Sequence, residues 1–321
     1  MAHKNGRKSQ KYKNAINNKT RRKRNKSKSE FSKMMCSPAV KDMAPVKGSC
    51  FPAHVLLQLK EYYNSANPSS KIQDVSPTKI WISLKHRLSA CTKEDCWLDL
   101  ITDNNIRKTL DNYIFAPDQP ASWKKNPHTW LNTDDIYKVL RQYEQRYPYF
   151  CAIRPTPIDF DKKMGGSDTD RCVTEELCKF NAKHQVAVNK TKIGIVFNLD
   201  EHDEPGSHWV SLFVDLDDHF AFYLDSAGDP VPNEIRKLVE RIQEQCSHIG
   251  KEITFYENHP MQHQYGNTEC GVYSLFFIIT MLTGETDLHK FSDVDSKIDF
   301  FKKKRIPDKY ISKFRELYFN V

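Results

Sequence analysis

The sequence lacks a segment long enough to cross a membrane. Its longest apolar run lies near Val272 to Leu282 and is too short to span a bilayer. No signal peptide is recognisable, and the nine cysteines are scattered without the even, tight spacing of a disulfide framework. We therefore expect a soluble protein of a reducing compartment whose cysteines form no such framework.

The cysteines also lack the spacing of a zinc site. Cys91 and Cys96 are too far apart for the usual C-x₂-C pair, and no matching second pair exists. Cys172 and Cys178 fail for the same reason. We interpret all four as structural residues and expect no metal and no cofactor.

Positive charge is concentrated at the start of the chain. Residues 1–33 contain 13 Lys and Arg against one acid, a balance of +12, so the net charge of +8 leaves −4 for the remainder. The region 1–48 has too few apolar residues to fold alone and is predicted to be a disordered basic tail. Basic residues 4–28 could bind nucleic acid through phosphates or direct nuclear import, or the tail could be solvated without a partner.

The middle of the chain has helical spacing. We predict a helical N-terminal arm over 49–125, with Ser76 and Pro77 opening one of its helices. Three prolines in 116–127 then interrupt the pattern, and 126–321 is predicted to be a single larger domain. Its first helix begins at Asn132 or Thr133, and 193–199 forms a strand buried on both faces.

Two later segments predict a β-hairpin that carries a histidine and a carboxylate. Residues 208–216 and 220–225 alternate in polarity around a turn at 217–219. If the turn is centred on 217 and 218, opposed residues have numbers that sum to about 433–435 in this pairing pattern. His208 and Asp225 then lie within about two residues of each other, so Asp225 can orient the imidazole of His208.

The polar stretch 264–269 runs into Cys270, after which the chain is apolar on nearly every face. Such a segment predicts a buried helix with Cys270 at its N-terminus, where the helix dipole and exposed N–H groups favour the thiolate. Cys270 is thus a candidate nucleophile, and its N–H and the Gln264 amide are candidate oxyanion donors. Alternatively, Cys270 is a buried structural cysteine and Gln264 an ordinary loop residue.

Other histidines are weaker candidates for the same role. His202 and His219 occupy acidic or turn segments and are expected to be solvated. His259 and His263 lie near Cys270 in sequence, but neither has an acid at a comparable cross-strand position.

These motifs together resemble the Ulp1/adenain-like cysteine proteases of clan CE. The resemblance covers about 130–321 and rests on H-W before a hydrophobic strand, Y-L-D-S, and Q-x₅-C-G opening a buried helix. G-S-H-W-V-S-L-F-V-D, D-S-A-G-D-P and T-E-C-G-V-Y-S are most similar to the polyprotein-processing proteases of African swine fever virus and its relatives among large DNA viruses. The resemblance implies an α+β fold in which a central mixed sheet is flanked by helices and the nucleophile opens a buried helix. The similarity is weaker in the helical arm.

The chain departs from these relatives at several positions. Glu269 precedes the cysteine at a position where many Ulp1-type enzymes have Asp. A glutamate here favours the viral branch. Asp225 follows the cellular pattern, whereas the swine fever enzyme has Asn at this position. The basic tail has no clear counterpart.

The resemblance implies a cysteine endopeptidase that cleaves viral structural polyproteins after Gly-Gly during virion maturation. It implies a triad of His208, Asp225 and Cys270 with Gln264 as oxyanion donor, and substrate contacts from Trp209, Trp130 and Asn132. The expected location is the virion and host cytoplasm at virus assembly sites, with nuclear entry through the basic tail as an alternative. Self-cleavage at Met164-Gly165-Gly166-Ser167 is less favoured than a plain glycine turn, because Lys163 stands close to where these proteases prefer an apolar residue.

Three alternative functions remain open at this stage. A deconjugating protease would act on ubiquitin-like tails such as SUMO, which also end in Gly-Gly. An acetyltransferase of the same clan would use the same triad and depend on acetyl-CoA. A nucleic-acid-binding module with an inactive site is disfavoured because His208, Asp225, Gln264 and Cys270 are all present.

Overall fold

The computed structural model describes residues 31–165 and 171–321. An N-terminal arm comes first and contains three α-helices: α1 (Ala53–Ala66), α2 (Pro77–Arg87) and α3 (Asn104–Ile114). A short 3-10 helix, Asp95–Leu100, lies between α2 and α3. These elements enclose a small core of their own, centred on stacked Phe51 and Trp97, whose ring centroids are 5.5 Å apart.

The second part is built around one six-stranded mixed sheet. Its strands are β1 (Phe150–Ala152), β2 (Thr156–Pro157), β3 (Lys192–Asn198), β4 (Trp209–Asp215), β5 (Phe220–Leu224) and β6 (Thr254–Glu257). The order is β1-β3-β4-β5-β6, with β2 also paired to β3. The central β3-β4-β5 strands are antiparallel, whereas β1, β2 and β6 join in parallel.

Helices cover both faces of this sheet. The helices of this part are α4 (Thr133–Arg146), α5 (Glu175–Cys178), α6 (Ala182–Ala187), α7 (Asn233–Ser247), α8 (Cys270–Thr283), α9 (Val294–Lys303), α10 (Asp308–Ile311) and α11 (Phe314–Tyr318). On one face α4 and α8 pack against the sheet, and on the other α7 packs through its apolar stripe. Every side chain of β4 and β5 is therefore buried, as expected for strands covered on both faces.

Helix α8 lies in the middle of the larger core. All its residues from Cys270 to Leu282 are buried. Residues of α9, α10 and α11 enclose its outer face, for example through Phe276 and Phe314, whose ring centroids are 4.7 Å apart. The prediction of a helix buried on all sides is confirmed, as are the predicted hairpin, the β3 strand and the α4 start. Asn132 and Asp135 form a reciprocal capping box at that start.

Two expectations from the sequence need correction. The arm begins before residue 49, because Met34 and Val40 are buried and Cys36 pairs with Phe115 in an isolated β-bridge. The rest of the predicted tail, residues 1–30, lies outside the described residues. The expectation of unpaired cysteines is also wrong for six of them, which form disulfides between residues 36 and 50, 91 and 96, and 172 and 178. Chain folding brings these pairs together, which sequence spacing alone did not indicate.

The C-terminus joins the arm to the sheet domain. The buried side chain of Asn320 accepts a hydrogen bond from the Met35 N–H at 2.7 Å and donates to the Ala116 carbonyl at 2.7 Å. Its Nδ2 also reaches the Met35 carbonyl at 3.2 Å. None of the helices in the described ranges is long and apolar enough to cross a membrane.

Candidate active site

The β4–β5 hairpin brings His208 and Asp225 together. In the observed register Ser211 opposes Leu224, which agrees with the pairing expected from the sequence. His208 directly precedes β4 and Asp225 directly follows β5, so both lie at the open end of the hairpin. Their side chains meet with His208 Nε2 2.7 Å from Asp225 Oδ1.

The environment of His208 favours its protonated form. Burial lowers the pKa of His208, but the hydrogen bonds and charge attraction from Asp225 and Cys270 outweigh this effect and raise the pKa to about 10. The imidazole therefore carries both protons at neutral pH and can stabilise a thiolate on Cys270.

Asp225 is held rigidly from behind by Asn258. Asn258 Oδ1 accepts from the Asp225 backbone N–H at 2.8 Å, and Asn258 Nδ2 donates to the Asp225 carbonyl at 2.7 Å. Asp225 Oδ1 also accepts from the Ala227 N–H at 2.8 Å. Because the backbone N–H, the carbonyl and Oδ1 of Asp225 all have hydrogen-bond partners, its carboxylate has little freedom to turn away from His208.

Cys270 is the first residue of α8 and is almost fully buried, at 2% exposed. The predicted start of the helix at Cys270 is confirmed, and the first N–H groups of a helix have no partner within it. Gly271, the next residue, lies under Leu131 and Trp209. A Cβ at position 271 would stand 3.2 Å from Leu131 Cβ and 3.3 Å from Trp209 Cδ1, so glycine permits this close packing.

The Gln264 amide is oriented by the residue after Asp225. Ser226 Oγ donates to Gln264 Oε1 at 2.8 Å, and the Ser226 carbonyl accepts from the Gln264 backbone N–H at 2.8 Å. One hydrogen of Gln264 Nε2 is donated to the Gly266 carbonyl at 3.0 Å. An amide nitrogen has two hydrogens, so the second Nε2 hydrogen has no hydrogen-bond partner within the described residues.

A groove of about 860 Å³ is lined by Trp209, the residue after His208, whereas His208, Asp225, Gln264 and Cys270 are not among the residues that line it. The three residues predicted to contact substrate, Trp130, Asn132 and Trp209, all line it. Both indoles are fixed by backbone carbonyls: Trp209 Nε1 donates to Leu131 at 3.0 Å, and Trp130 Nε1 donates to Asn267 at 2.6 Å. Trp209 follows His208, and its Cδ1 would lie 3.3 Å from a Cβ at position 271, so this indole is the contact between the groove and the start of α8.

The other histidines do not join this cluster. His202 is exposed, as expected, and it also lines the groove, with its Nδ1 2.7 Å from Asp159 Oδ2. His263 is buried between two backbone groups, the Phe301 carbonyl at 2.9 Å and the Ile306 N–H at 3.1 Å. Burial lowers the pKa of His263 to about 4, so it is neutral and structural.

Sequence reasoning missed three residues around the site. Ser226 could have been found as the neighbour of Asp225 in the D-S pair. Asn258 and Arg315 had no local signal, since each acts across the fold on a residue far away in sequence. Arg315 donates to Glu269 at 2.8 Å across a separation of 46 residues.

Residues 141–313 match a family model described as the Ulp1 protease family, C-terminal catalytic domain. The chain therefore belongs to the Ulp1 family of cysteine proteases. Its identity with a thiol protease of Acanthamoeba polyphaga mimivirus is 32% over 180 residues, which is 56% of this chain and 56% of that protein. The match thus spans little more than half the length of this viral relative.

Cysteine proteases of African swine fever virus are also similar. One is 28% identical over 222 residues, covering 68% of this chain and 76% of the viral protein. The crystal structure of a protease from this virus superposes with a TM-score of 0.59 at 18% identity, covering 92% of this chain and 99% of that chain. The predicted α+β Ulp1-like fold is confirmed by this similarity.

Proposed function

We propose that the chain is a cysteine endopeptidase that cleaves viral structural polyproteins after Gly-Gly during virion maturation. The observation that carries this proposal is the contact of His208 with both Asp225, at 2.7 Å, and Cys270, the first residue of the buried helix α8. An imidazolium held against a cysteine at a helix N-terminus is the arrangement that produces a thiolate nucleophile.

The proposed reaction proceeds through an acyl-enzyme. The Cys270 thiolate attacks the scissile carbonyl carbon, and the oxyanion that forms accepts hydrogen bonds from the Cys270 N–H and Gln264 Nε2. The carbon–nitrogen bond then breaks while His208 donates its proton to the leaving amine. Water next attacks the thioester with His208 as base, which releases the carboxylate product and regenerates the thiolate.

The groove supports a preference for small residues beside the cut. Trp130 and Trp209 present flat indoles that are tied to the backbone and cannot easily move aside. A chain without side chains can pass such surfaces closely, which is the advantage of glycine wherever backbone must approach a neighbour. Gly-Gly before the scissile bond would therefore fit where bulkier pairs would not.

Deconjugation of a ubiquitin-like modifier is the second candidate. Other African swine fever virus relatives, 27% identical over 222 residues, carry the name SUMO-1 cysteine protease. Such a modifier also ends in Gly-Gly, so the same groove would receive its tail. Recognition would then depend on the folded body of the modifier as well as on the tail.

The test compares the purified chain with Cys270→Ala. Both are incubated with a peptide containing an internal Gly-Gly-Xaa and, separately, with ubiquitin-like precursors, and products are read by mass spectrometry. We expect cleavage after the second glycine of the peptide by the wild type alone. Processing of the folded precursors alone would favour deconjugation, and acetyl transfer from acetyl-CoA without cleavage would favour the acetyltransferase alternative.

We further propose that the basic residues 4–28 bind nucleic acid without sequence specificity and bring the protease to packaged genomes at assembly sites. Support comes from the balance of +12 over residues 1–33, which lie for the most part outside the described residues. Deleting residues 1–30 should weaken DNA affinity and reduce its salt dependence. Unchanged affinity would contradict this part of the proposal.

A further inference from the structure

A buried ion pair lies directly beside Cys270. Glu269, the residue before the cysteine, is 4% exposed, and Arg315 on α11 is 5% exposed. Arg315 Nε donates to Glu269 Oε2 at 2.8 Å. A carboxylate removed from water to this degree is costly unless a cation and further hydrogen bonds compensate it, so Arg315 sets the electrostatic state of the segment that carries the cysteine.

Arg315 also holds the backbone on both sides of this pair. Its Nη2 donates to the Thr268 carbonyl at 2.7 Å, and its Nη1 donates to the Thr129 carbonyl at 2.9 Å. Its guanidinium lies 4.6 Å from the centroid of the Trp123 ring. One planar side chain thus connects the segment before Cys270 to the segment before α4, which carries the groove residue Trp130.

We propose that Arg315 is a positioning residue for the Cys270 nucleophile, acting by neutralising Glu269 and by holding Thr268 in place. This inference rests on the proposed function, because it assumes that Cys270 attacks the substrate. A negative charge on the neighbouring residue disfavours a thiolate, and an uncompensated positive charge favours it. Arg315 and Glu269 therefore have opposite effects on the reactivity of the cysteine.

Other charged groups lie near Cys270 and near the Glu269–Arg315 pair. Cys270 contacts His208, which is hydrogen-bonded to Asp225. Glu269 Oε1 lies 3.8 Å from Nδ1 of His128, whose side chain is 64% exposed. Because His128 is exposed to solvent, it cannot replace the buried guanidinium as the compensating charge.

Asp308 approaches from α10 on the other side. Its Oδ1 accepts from the Tyr273 hydroxyl at 3.0 Å, one turn of α8 after the cysteine. Its Oδ2 accepts from the Tyr265 and Gly266 N–H groups and lies 3.7 Å from Arg305 Nη2, so the charge of Asp308 is compensated by partners other than Arg315.

The chain offers a control arginine with no connection to the cysteine, although its side chain is 30% exposed and that of its partner Asp161 is 40% exposed. Arg241 on α7 donates to Asp161 at 2.8 and 3.2 Å and to the Leu177 carbonyl at 2.9 Å. It therefore makes a comparable ion pair and carbonyl contact on the opposite face of the sheet. Arg241→Gln should lower stability without altering the reactivity of Cys270.

The experiment measures alkylation of Cys270 by iodoacetamide from pH 5 to pH 10 in the full chain. The peptide containing Cys270 is quantified by mass spectrometry, and rates are corrected for the folded fraction from circular dichroism. The variants are Arg315→Gln, Glu269→Gln and Arg315→Lys, with Arg241→Gln as control. No substrate is needed, so nucleophile chemistry is read independently of proteolytic specificity.

We expect Arg315→Gln to slow alkylation at pH 7 by about tenfold and to move the profile about one pH unit higher. Glu269→Gln should move the profile to lower pH, and Arg315→Lys should keep it near the wild-type position because the charge remains. If Arg315→Gln does not fold, the inference is tested by Glu269→Gln, which should shift the pH profile lower, and by Arg315→Lys, which should not shift it.

Two results would overturn the inference. In the first, the position-269 and position-315 variants lose reactivity only in proportion to their folded fraction, as Arg241→Gln does. In the second, wild-type Cys270 reacts at pH 7 no faster than an unstructured cysteine peptide, and then the proposed function fails with it. If wild-type Cys270 reacts fast but the pH profiles of Arg315→Gln and Glu269→Gln do not shift in opposite directions, only the role of Arg315 is rejected and the proposed function stands.

Discussion

His208 Nε2 and Asp225 Oδ1 lie 2.7 Å apart across the open end of the β4–β5 hairpin, although 17 residues separate them in the chain. The same carboxylate oxygen accepts the Ala227 N–H at 2.8 Å, so its direction is fixed before it meets the imidazole. The hairpin register, more than any single residue, determines the geometry of the site.

Asp225→Asn tests the electrostatic part of this relationship. The amide keeps the size of the carboxylate but loses its charge, so the pKa of His208 should fall below about 10, since Asp225 is among the groups that raise it. We expect kcat on a Gly-Gly peptide to fall about 10- to 100-fold with little change in KM. NMR titration of His208 checks the first effect and steady-state kinetics the second.

Asp229 provides the control for that experiment, because it is exposed on the same loop. Asp229→Asn should leave both kcat and the His208 titration unchanged. An unaltered titration in Asp225→Asn would show that the contact with Asp225 does not control protonation of His208.

Asn258→Asp tests the support behind the carboxylate. Asn258 is 1% exposed, and its Nδ2 donates to the carbonyls of Asp225 and Met261 at 2.7 and 2.8 Å. An aspartate cannot donate to either and adds a charge beside Asp225, so we expect a loss of about 3 kcal/mol or more in the free energy of unfolding. Urea denaturation at pH 7 measures it. Asn67→Asp, which affects a single amide contact to Tyr63 in the arm, should cost clearly less.

Much of the site could be predicted because its signals are local. The alternation around the hairpin turn fixed the pairing of His208 with Asp225 to within two residues, and the observed register agrees. An apolar segment without a polar face predicted that α8 is buried on all sides. Both inferences use periodicity, which depends on backbone geometry and is unaffected by distant parts of the chain.

The remaining features depend on contacts between distant segments. Arg315 reaches Glu269 only because α11 folds back against the start of α8, and no spacing rule connects positions 46 residues apart. The exposure of His202 was predictable, but its contact with Asp159 at 2.7 Å was not, because 43 residues separate the two. The cysteines were expected to form no disulfide framework, whereas Cys36 and Cys50 are paired because of how the arm packs.

His263 predicts an acid sensitivity of the folded chain. Burial lowers the pKa of His263 to about 4 from an ordinary value near 6.5, so the unfolded chain binds this proton more readily between these pH values. Stability should therefore be complete above pH 6.5 and decline as pH falls to 4, by about 3 kcal/mol from this residue. Urea denaturation of wild type and His263→Gln across pH 4–7 measures the difference. Parallel curves for the two proteins would contradict the assignment.

Asn320→Ala tests whether the arm depends on the C-terminus. The side chain of Asn320 is 5% exposed and serves the Met35 N–H, the Met35 carbonyl and the Ala116 carbonyl. Alanine leaves these groups without their partner, so the free energy of unfolding should fall by about 2–4 kcal/mol. Hydrogen exchange should also rise selectively over residues 31–48.

Leu317→Ala is the control for this change, because Leu317 lies on α11 near Asn320 but is 39% exposed. It should leave exchange in the arm unchanged. If Asn320→Ala also leaves residues 31–48 protected, the arm docks through its apolar contacts alone. If residues 31–48 lose protection from hydrogen exchange while β4 and β5 keep it, the hydrogen bonds of Asn320 hold the arm to a sheet domain that folds independently of the arm.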